Sequence, residues 1–259
     1  MENSQQYSIV PTVLATLGTI LLSVQLVPQI WYNWRRHDTE GLPALMMLLW
    51  ALCAVPMGPY FIVQKANISL QIQPQVFATL NLLCWGQILT YSHAYGRLKA
   101  TAMVVSTAAL FGLLELLTVL AAQVGWVLAS NRTIVDFTQG PFQRGITWPI
   151  LLLGVLSVVF IVGGLLMPYL EVWKRRGRVV GISWLFLGMD MLGGLCSLLA
   201  LMLGAKFDIL GGVMYIVVIA LEAGLCLSHI VWRQRHGAKE TLNNASDLSV
   251  DRSNDVETV

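Results

Sequence analysis

Along this chain apolar residues run on for twenty positions or more at a time, and short polar stretches separate the runs. A helix needs roughly 20 mostly apolar residues to cross the hydrocarbon core of a bilayer. In lipid each such segment must satisfy its own backbone, which makes helix the expected form. Seven spans are predicted, at Ile9–Tyr32, Leu42–Val63, Pro74–Tyr95, Thr101–Ala129, Trp148–Val172, Ile182–Leu203 and Ile209–Trp232. The expected fold class is all-α and integral to the membrane, with no soluble domain. From Gly237 onward the chain is polar, rich in Asn, Ser and Asp, and lacks hydrophobic periodicity, so residues 237–259 read as a disordered tail. Composition agrees with this class: 56% of the residues are hydrophobic and 12% charged, against about a quarter charged in a soluble domain.

Two of the apolar-to-polar transitions are alike. "SVQLVPQIWYNWRRHDTEGLP" covers Ser23–Pro43 and "GGLLMPYLEVWKRRGRVVGIS" covers Gly163–Ser183. A shift of 140 places Pro28 on Pro168, Gln29 on Tyr169, Arg35 and Arg36 on Arg175 and Arg176, and Gly41 on Gly181. "SHAYGR" at Ser92–Arg97 resembles "SHIVWR" at Ser228–Arg233 at a shift of 136, which leaves the fourth span without a counterpart. Three helices reverse the direction of the chain, so a second triplet needs one extra crossing to start from the same side. The expected organisation is a first three-helix repeat (1–96), an unpaired linker helix with its following loop (97–147), a second three-helix repeat (148–236) and the tail. Such parallel repeats, related by an axis along the membrane normal, occur in secondary transporters.

The two prolines have a physical consequence. Proline removes a backbone donor and clashes with the carbonyl four residues earlier, so Pro28 frees the carbonyl of Val24 and Pro168 that of Gly164. Gln25 or Gln29 is placed to satisfy the first, and Gly163 and Gly164 soften the helix beside the second. A pair of prolines in register within a repeat points to paired hinges.

Charge sets an expected orientation. With the N-terminus away from the cytosol, eleven basic residues (Arg35, Arg36, Arg97, Lys99, Lys174, Arg175, Arg176, Arg178, Arg233, Arg235 and Lys239) fall on the cytosolic side. Four (Lys65, Arg132, Arg144 and Lys206) fall opposite. The positive-inside rule favours that arrangement. The N-x-S/T sequons at Asn67 and Asn131 then lie on the lumenal side, as glycosylation would require, and the one at Asn244 in the cytosolic tail. The first apolar run is long enough to span and lacks a basic leader, so no cleavable signal peptide is expected. Cys53, Cys84, Cys196 and Cys226 all fall within spans and show no metal-ligand spacing; neither metal nor cofactor is expected.

Ionisable groups at bilayer depth are costly and mark functional sites. Asp190 lies about eight residues into the sixth span, roughly 12 Å deep at 1.5 Å per residue. Glu222 lies at similar depth in the seventh, within the same triplet, and Glu115 near the middle of the unpaired fourth span, where a structural or subunit contact is expected. Removal from water disfavours the charged form of a carboxyl, which suits Asp190 and Glu222 to proton coupling. Trp50, the repeat counterpart of Asp190, is a candidate wall of a substrate site, with Asn81 and Gln87 in the third span. The pair Gly193 and Gly194 permits close helix approach. No nucleophile elbow, phosphate loop or metal set is present, so enzymatic activity is not expected.

Pro28-Gln29 followed by a basic loop and a Gly-Leu start, with the motif repeated in a seven-helix chain, resembles the PQ-loop repeat family of membrane transporters. This family includes cystinosin-like and vacuolar amino-acid transporters and shares the SWEET-type architecture. "MDMLGGLCSLLALM" at Met189–Met202 resembles the Asp-x-x-Gly-Gly-x-x-Ser-Leu-Leu segment of the cystinosin-like branch. The second motif departs from the family, reading Pro168-Tyr169 where Pro-Gln is usual. The resemblance implies a proton-coupled exporter of a small amino acid or similar polar solute from an acidic organelle, with Asp190 in proton coupling. The implied partners are the lipid bilayer, the solute and protons, with no nucleic acid. Two other classes fit seven spans. A non-transporting PQ-loop receptor or trafficking regulator shares the fold. A G-protein-coupled receptor is opposed by the repeat and by the lack of an Asn-Pro-x-x-Tyr element in the last span.

Overall fold

The computed structural model describes residues 9–63, 68–130, 148–176, 179–203 and 212–235. All regular structure among them is helical: α1 (Ile9–Val24), α2 (Leu26–Arg36), α3 (Ala44–Val63), α4 (Ile68–Tyr91), α5 (Arg97–Ser130), α6 (Trp148–Lys174) and α7 (Trp184–Leu203), then α8 (Gly212–Arg235). The sequons at Asn67, Asn131 and Asn244 and the tail lie outside the described residues. Six helical stretches are long and apolar enough to cross a membrane, α1 and α2 together forming one span of 28 residues. With α4, which is as long as the others, they make the seven crossings of a multi-pass membrane protein.

The predicted third span began at Pro74, but α4 starts at Ile68 and carries Pro74 inside it. A proline costs one hydrogen bond and a clash one turn back, and neighbouring helices make this tolerable in a membrane protein. Gln71, Gln73, Gln75, Asn81 and Gln87 make α4 the least apolar span. It is also well surrounded, lying against α1, α2, α3 and α5. Its polar side chains meet protein as well as lipid. The unpaired α5 is the opposite case: it touches α3 and α4, and no residue of its most apolar stretch is buried.

The halves meet crosswise. α1 packs on α7 and α3 on α6, so the first span of each triplet lies against the second span of the other, as a two-fold relation requires. Small residues permit the approach. A Cβ on Gly18 of α1 would run into Ser197 and the Gly193 carbonyl of α7, and a Cβ on Gly193 into Leu21 and Leu22. On the other seam a Cβ on Gly164 of α6 would strike the indole of Trp50. The loops before α3 and α7 also touch: Gly41 (φ 85°) abuts Val180, and Gly181 (φ 84°) abuts the backbone of Glu40–Leu42. Both glycines hold a left-handed conformation that costs another L-residue about 1–2 kcal/mol.

The two motif prolines differ in their effect on the backbone. Near Pro28 the regular helix is interrupted at Gln25, between α1 and α2. Gln25 keeps helical dihedrals (φ −54°, ψ −31°), and its N–H still reaches the Leu21 carbonyl at 2.9 Å. The interruption is thus a local loosening one turn before the proline, where the lost donor places it. Pro168, like Pro56, Pro59 and Pro74, sits inside a continuous helix.

Candidate functional site

A cavity of about 60 Å³ lies at the seam of the two halves, room for several waters. Every span except α5 contributes to its wall. The first half supplies Leu22, Gln25, Trp50 and Met57, with Gln73, Pro74 and Phe77 from α4. The second supplies Ile161, Asp190, Gly194 and, from α8, Met214, Tyr215 and Val218. The wall is largely apolar, and among the described residues its one ionisable carboxyl is Asp190.

Asp190 is 5% exposed and Glu222 fully buried. The side chains of Gln25 and Glu222 lie against Asp190. The amide of Gln25 supplies an N–H donor, and its own Oε1 meets no donor among the described residues. Among the described residues Glu222 also meets no N–H or hydroxyl donor with either carboxyl oxygen; a group within its reach is the carboxyl of Asp190. Ionised carboxylates only accept hydrogen bonds. The Asp190–Glu222 contact is therefore a hydrogen bond only when one of the two carries a proton. The loosened turn at Gln25 connects this pair to Pro28: the proline lies three residues after the glutamine that contacts Asp190.

Trp50 lines the same cavity. Its indole N–H donates to the Ile161 carbonyl at 3.0 Å, and its rings lie 5.5 Å from Phe77 and 5.9 Å from Phe186. Its repeat counterpart Asp190 is thus a fellow wall residue from the other half. Asn81 and Gln87, named with Trp50 as wall residues, are not among the cavity's walls. Asn81 donates to the Phe77 carbonyl one turn back at 2.9 Å. Gln87 lies near the C-terminal end of α4, where it accepts from Asn33 at 3.0 Å and donates to the Ile30 carbonyl at 3.0 Å. Ten residues separate Phe77 from Gln87, about 15 Å of helix, which carries the side chain out of reach of the cavity.

Gln87 belongs instead to a polar network around the first motif. The Gln29 amide donates to Asn33 Oδ1 at 2.8 Å and to the Gly181 carbonyl at 2.9 Å, and its Oε1 accepts from the Ser183 backbone N–H at 2.6 Å. Gln29 and Asn33 are fully buried. The first N–H groups of a helix lack intrahelical partners, and Gln29 satisfies one of them at the start of α7. The second motif is wired differently. The hydroxyl of Tyr169 donates to the Leu221 carbonyl on α8, within its own half, and lies against Gly224.

Among the other candidates, Glu115 accepts from Gln75 Nε2 at 2.5 Å and lies over Gly58, so it joins the unpaired α5 to α3 and α4. Sequence reasoning undervalued Gln25, assigned only to a freed carbonyl, and did not single out Gln73 or Tyr215. A polar residue one turn before a span-breaking proline was the available signal for the first.

Known proteins place this arrangement in a family. The PQ loop repeat family matches residues 10–70. An uncharacterized membrane protein of Saccharomyces cerevisiae is 36% identical over 221 residues, covering 85% of this chain and 66% of that protein. An uncharacterized protein of Schizosaccharomyces pombe is 34% identical over 214 residues, covering 83% and 69% respectively. The chain belongs to the PQ-loop repeat family. It spans about two thirds of the length of these curated relatives. The matched segment of this PQ-loop protein contains Pro28, Gln29, Asn33 and the contact glycine Gly41.

Proposed function

We propose that this PQ-loop protein is a proton-coupled transporter that carries a small amino acid or similar polar solute from an acidic organelle, vacuolar or lysosomal, to the cytosol. The observation that carries the reading is the cavity at the seam of the halves, walled by all six repeat spans and faced by Asp190 with Glu222 behind it. A site shared by two bundles is exposed to either side when the bundles rock about it. A carboxyl pair that needs a proton to form its hydrogen bond ties that motion to pH. The basic loops support an N-terminus in the lumen and basic helix ends in the cytosol. Pro28 and Pro168 serve the rocking as hinges.

The test is uptake by the purified chain in proteoliposomes with an imposed pH gradient, screened over amino acids and amines. Accumulation that collapses with a protonophore supports the reading. Saturable binding with no uptake of any bound solute would move the protein to the receptor class.

A further inference from the structure

We propose that the cavity is an ammonium site: Asp190 takes the cationic amino group of the solute as a carboxylate, while Glu222 behind it holds the coupled proton. The proposal rests on the transport reading and, of its polar solutes, selects organic amines with an apolar body; amino acids, which carry a carboxylate, are set aside.

The donor and acceptor inventory carries the inference. Asp190 faces the cavity. Gln25, 2% exposed and part of the same wall, has an Oε1 with no donor among the described residues. Both Glu222 oxygens lack an N–H or hydroxyl donor there as well. Around the carboxyl pair there is a deficit of donors; the wall's further donors, the amide of Gln73 and the hydroxyl of Tyr215, are neutral and bring no charge to meet Asp190. An ammonium group carries three donors and no acceptor, the complement of that deficit. A buried charge also needs an opposite charge, and among the described residues no Lys, Arg or His belongs to the wall. A solute carboxylate or phosphate would meet Asp190 with no cation to offset it.

The remaining walls fit the rest of such a solute. Trp50 and Phe77 offer aromatic faces, which attract cations, and Leu22, Met57, Ile161 and Val218 offer apolar surface. The two carboxyls divide the work by position. Asp190 lines the cavity, whereas Glu222 is not among its walls and faces Asp190 from α8. A proton on Glu222 donates to Asp190, and Gln25 donates to it as well. Asp190 then stays anionic toward the cavity with its other bonds made. Solute and proton are held together, on adjacent groups. The other ionisable groups near the pair are Tyr215 in the wall, Tyr169 on α6 and Cys226 on α8. The wall residues of α3 and α4 include no ionisable group.

The experiment uses the purified chain and three probes that share one ring: phenethylamine, phenylalanine and phenylacetate. Binding is read by ligand-induced thermal shift and by titration calorimetry, without any gradient. Phenethylamine is expected to bind, phenylalanine about tenfold or more weaker because its carboxylate is buried unpaired, and phenylacetate not at all. Phenylalanine or phenylacetate binding as tightly as the amine overturns the proposal on the unmodified protein, whether or not any variant folds. Asp190→Asn should weaken phenethylamine by at least about thirtyfold, the loss expected when one partner of a buried charge pair is removed. Glu222→Gln, which holds the neutral form, should keep amine affinity within about threefold yet lose accumulation on a pH gradient. Unchanged amine binding in Asp190→Asn sinks the assignment. Amine binding without uptake would leave the site standing and remove the transport reading; proton-driven uptake of a carboxylate-bearing solute, indifferent to Asp190→Asn, would do the reverse.

Discussion

Gln29 and Ser183 are 154 residues apart in the chain and 2.6 Å apart in the fold, the glutamine Oε1 accepting the backbone N–H that begins α7. The contact fastens the first repeat to the second at the end where the basic loops lie. It lets a side chain from α2 accept the N–H that the N3 residue of a capping box would otherwise take.

Removing that side chain leaves polar groups buried without partners. Gln29→Leu strands the Ser183 N–H, the Gly181 carbonyl and one bond of Asn33. An unsatisfied buried polar group costs about 1–3 kcal/mol, so a clear fall in thermal unfolding temperature in detergent is expected. A variant as stable as the native chain would show that water replaces the clamp.

The second motif should not answer to the same change. A shift of 140 places Pro43 opposite Ser183, and proline has no backbone N–H to offer. A glutamine at position 169 would therefore find no amide in the equivalent place. Tyr169→Phe is expected to cost about 1 kcal/mol, the net value of an ordinary hydrogen bond. Tyr169→Gln, although it restores the family's usual residue, should be no more stable than Tyr169→Phe. Recovery of stability by Tyr169→Gln in unfolding experiments would refute this account.

Trp50 and Gly164 test the seam between α3 and α6. Gly164→Ala drives a methyl group into the indole, and overpacking of this kind costs about 1–3 kcal/mol. Trp50→Leu opens space but loses the bond to the Ile161 carbonyl. If the two residues touch as described, the double variant is less destabilised than the sum of the singles by at least about 0.5 kcal/mol. Additive losses would mean that the seam is not closed through this pair.

The prolines should separate in their effects. Pro28→Ala returns a donor to the Val24 carbonyl, closes the turn at Gln25 and draws that side chain from Asp190. Turnover is expected to fall about tenfold, a barrier change near 1.4 kcal/mol. Pro168→Ala alters a helix that is already continuous and is expected to be milder. Equal losses in initial uptake rates would favour two equivalent hinges, and normal rates in both would end the hinge reading.

The crossings, the repeat and the family were legible in the sequence because lipid allows a long apolar run few forms. A run such as Leu42–Val63 must be helix wherever it packs, and an offset of 140 between Pro28 and Pro168 needs no coordinates. The positions of Asp190 and Glu222 along their spans could also be counted at 1.5 Å per residue. Depth along a helix does not fix rotation about it or the neighbour that faces each side. Asn81 and Gln87 were named with Trp50 as wall residues, though without its repeat correspondence to Asp190; packing put Trp50 at the cavity, turned Asn81 to its own helix and sent Gln87 to Asn33. The tertiary structure alone decided that Gln25 meets Asp190, that Gln29 reaches α7 rather than its own freed carbonyl, and that Tyr169 bonds within its half. The first two pairings are distant in sequence and cross between the halves, where the docking of the first span on α7 brings them within range; the Tyr169 bond depends on how α6 and α8 pack inside one half.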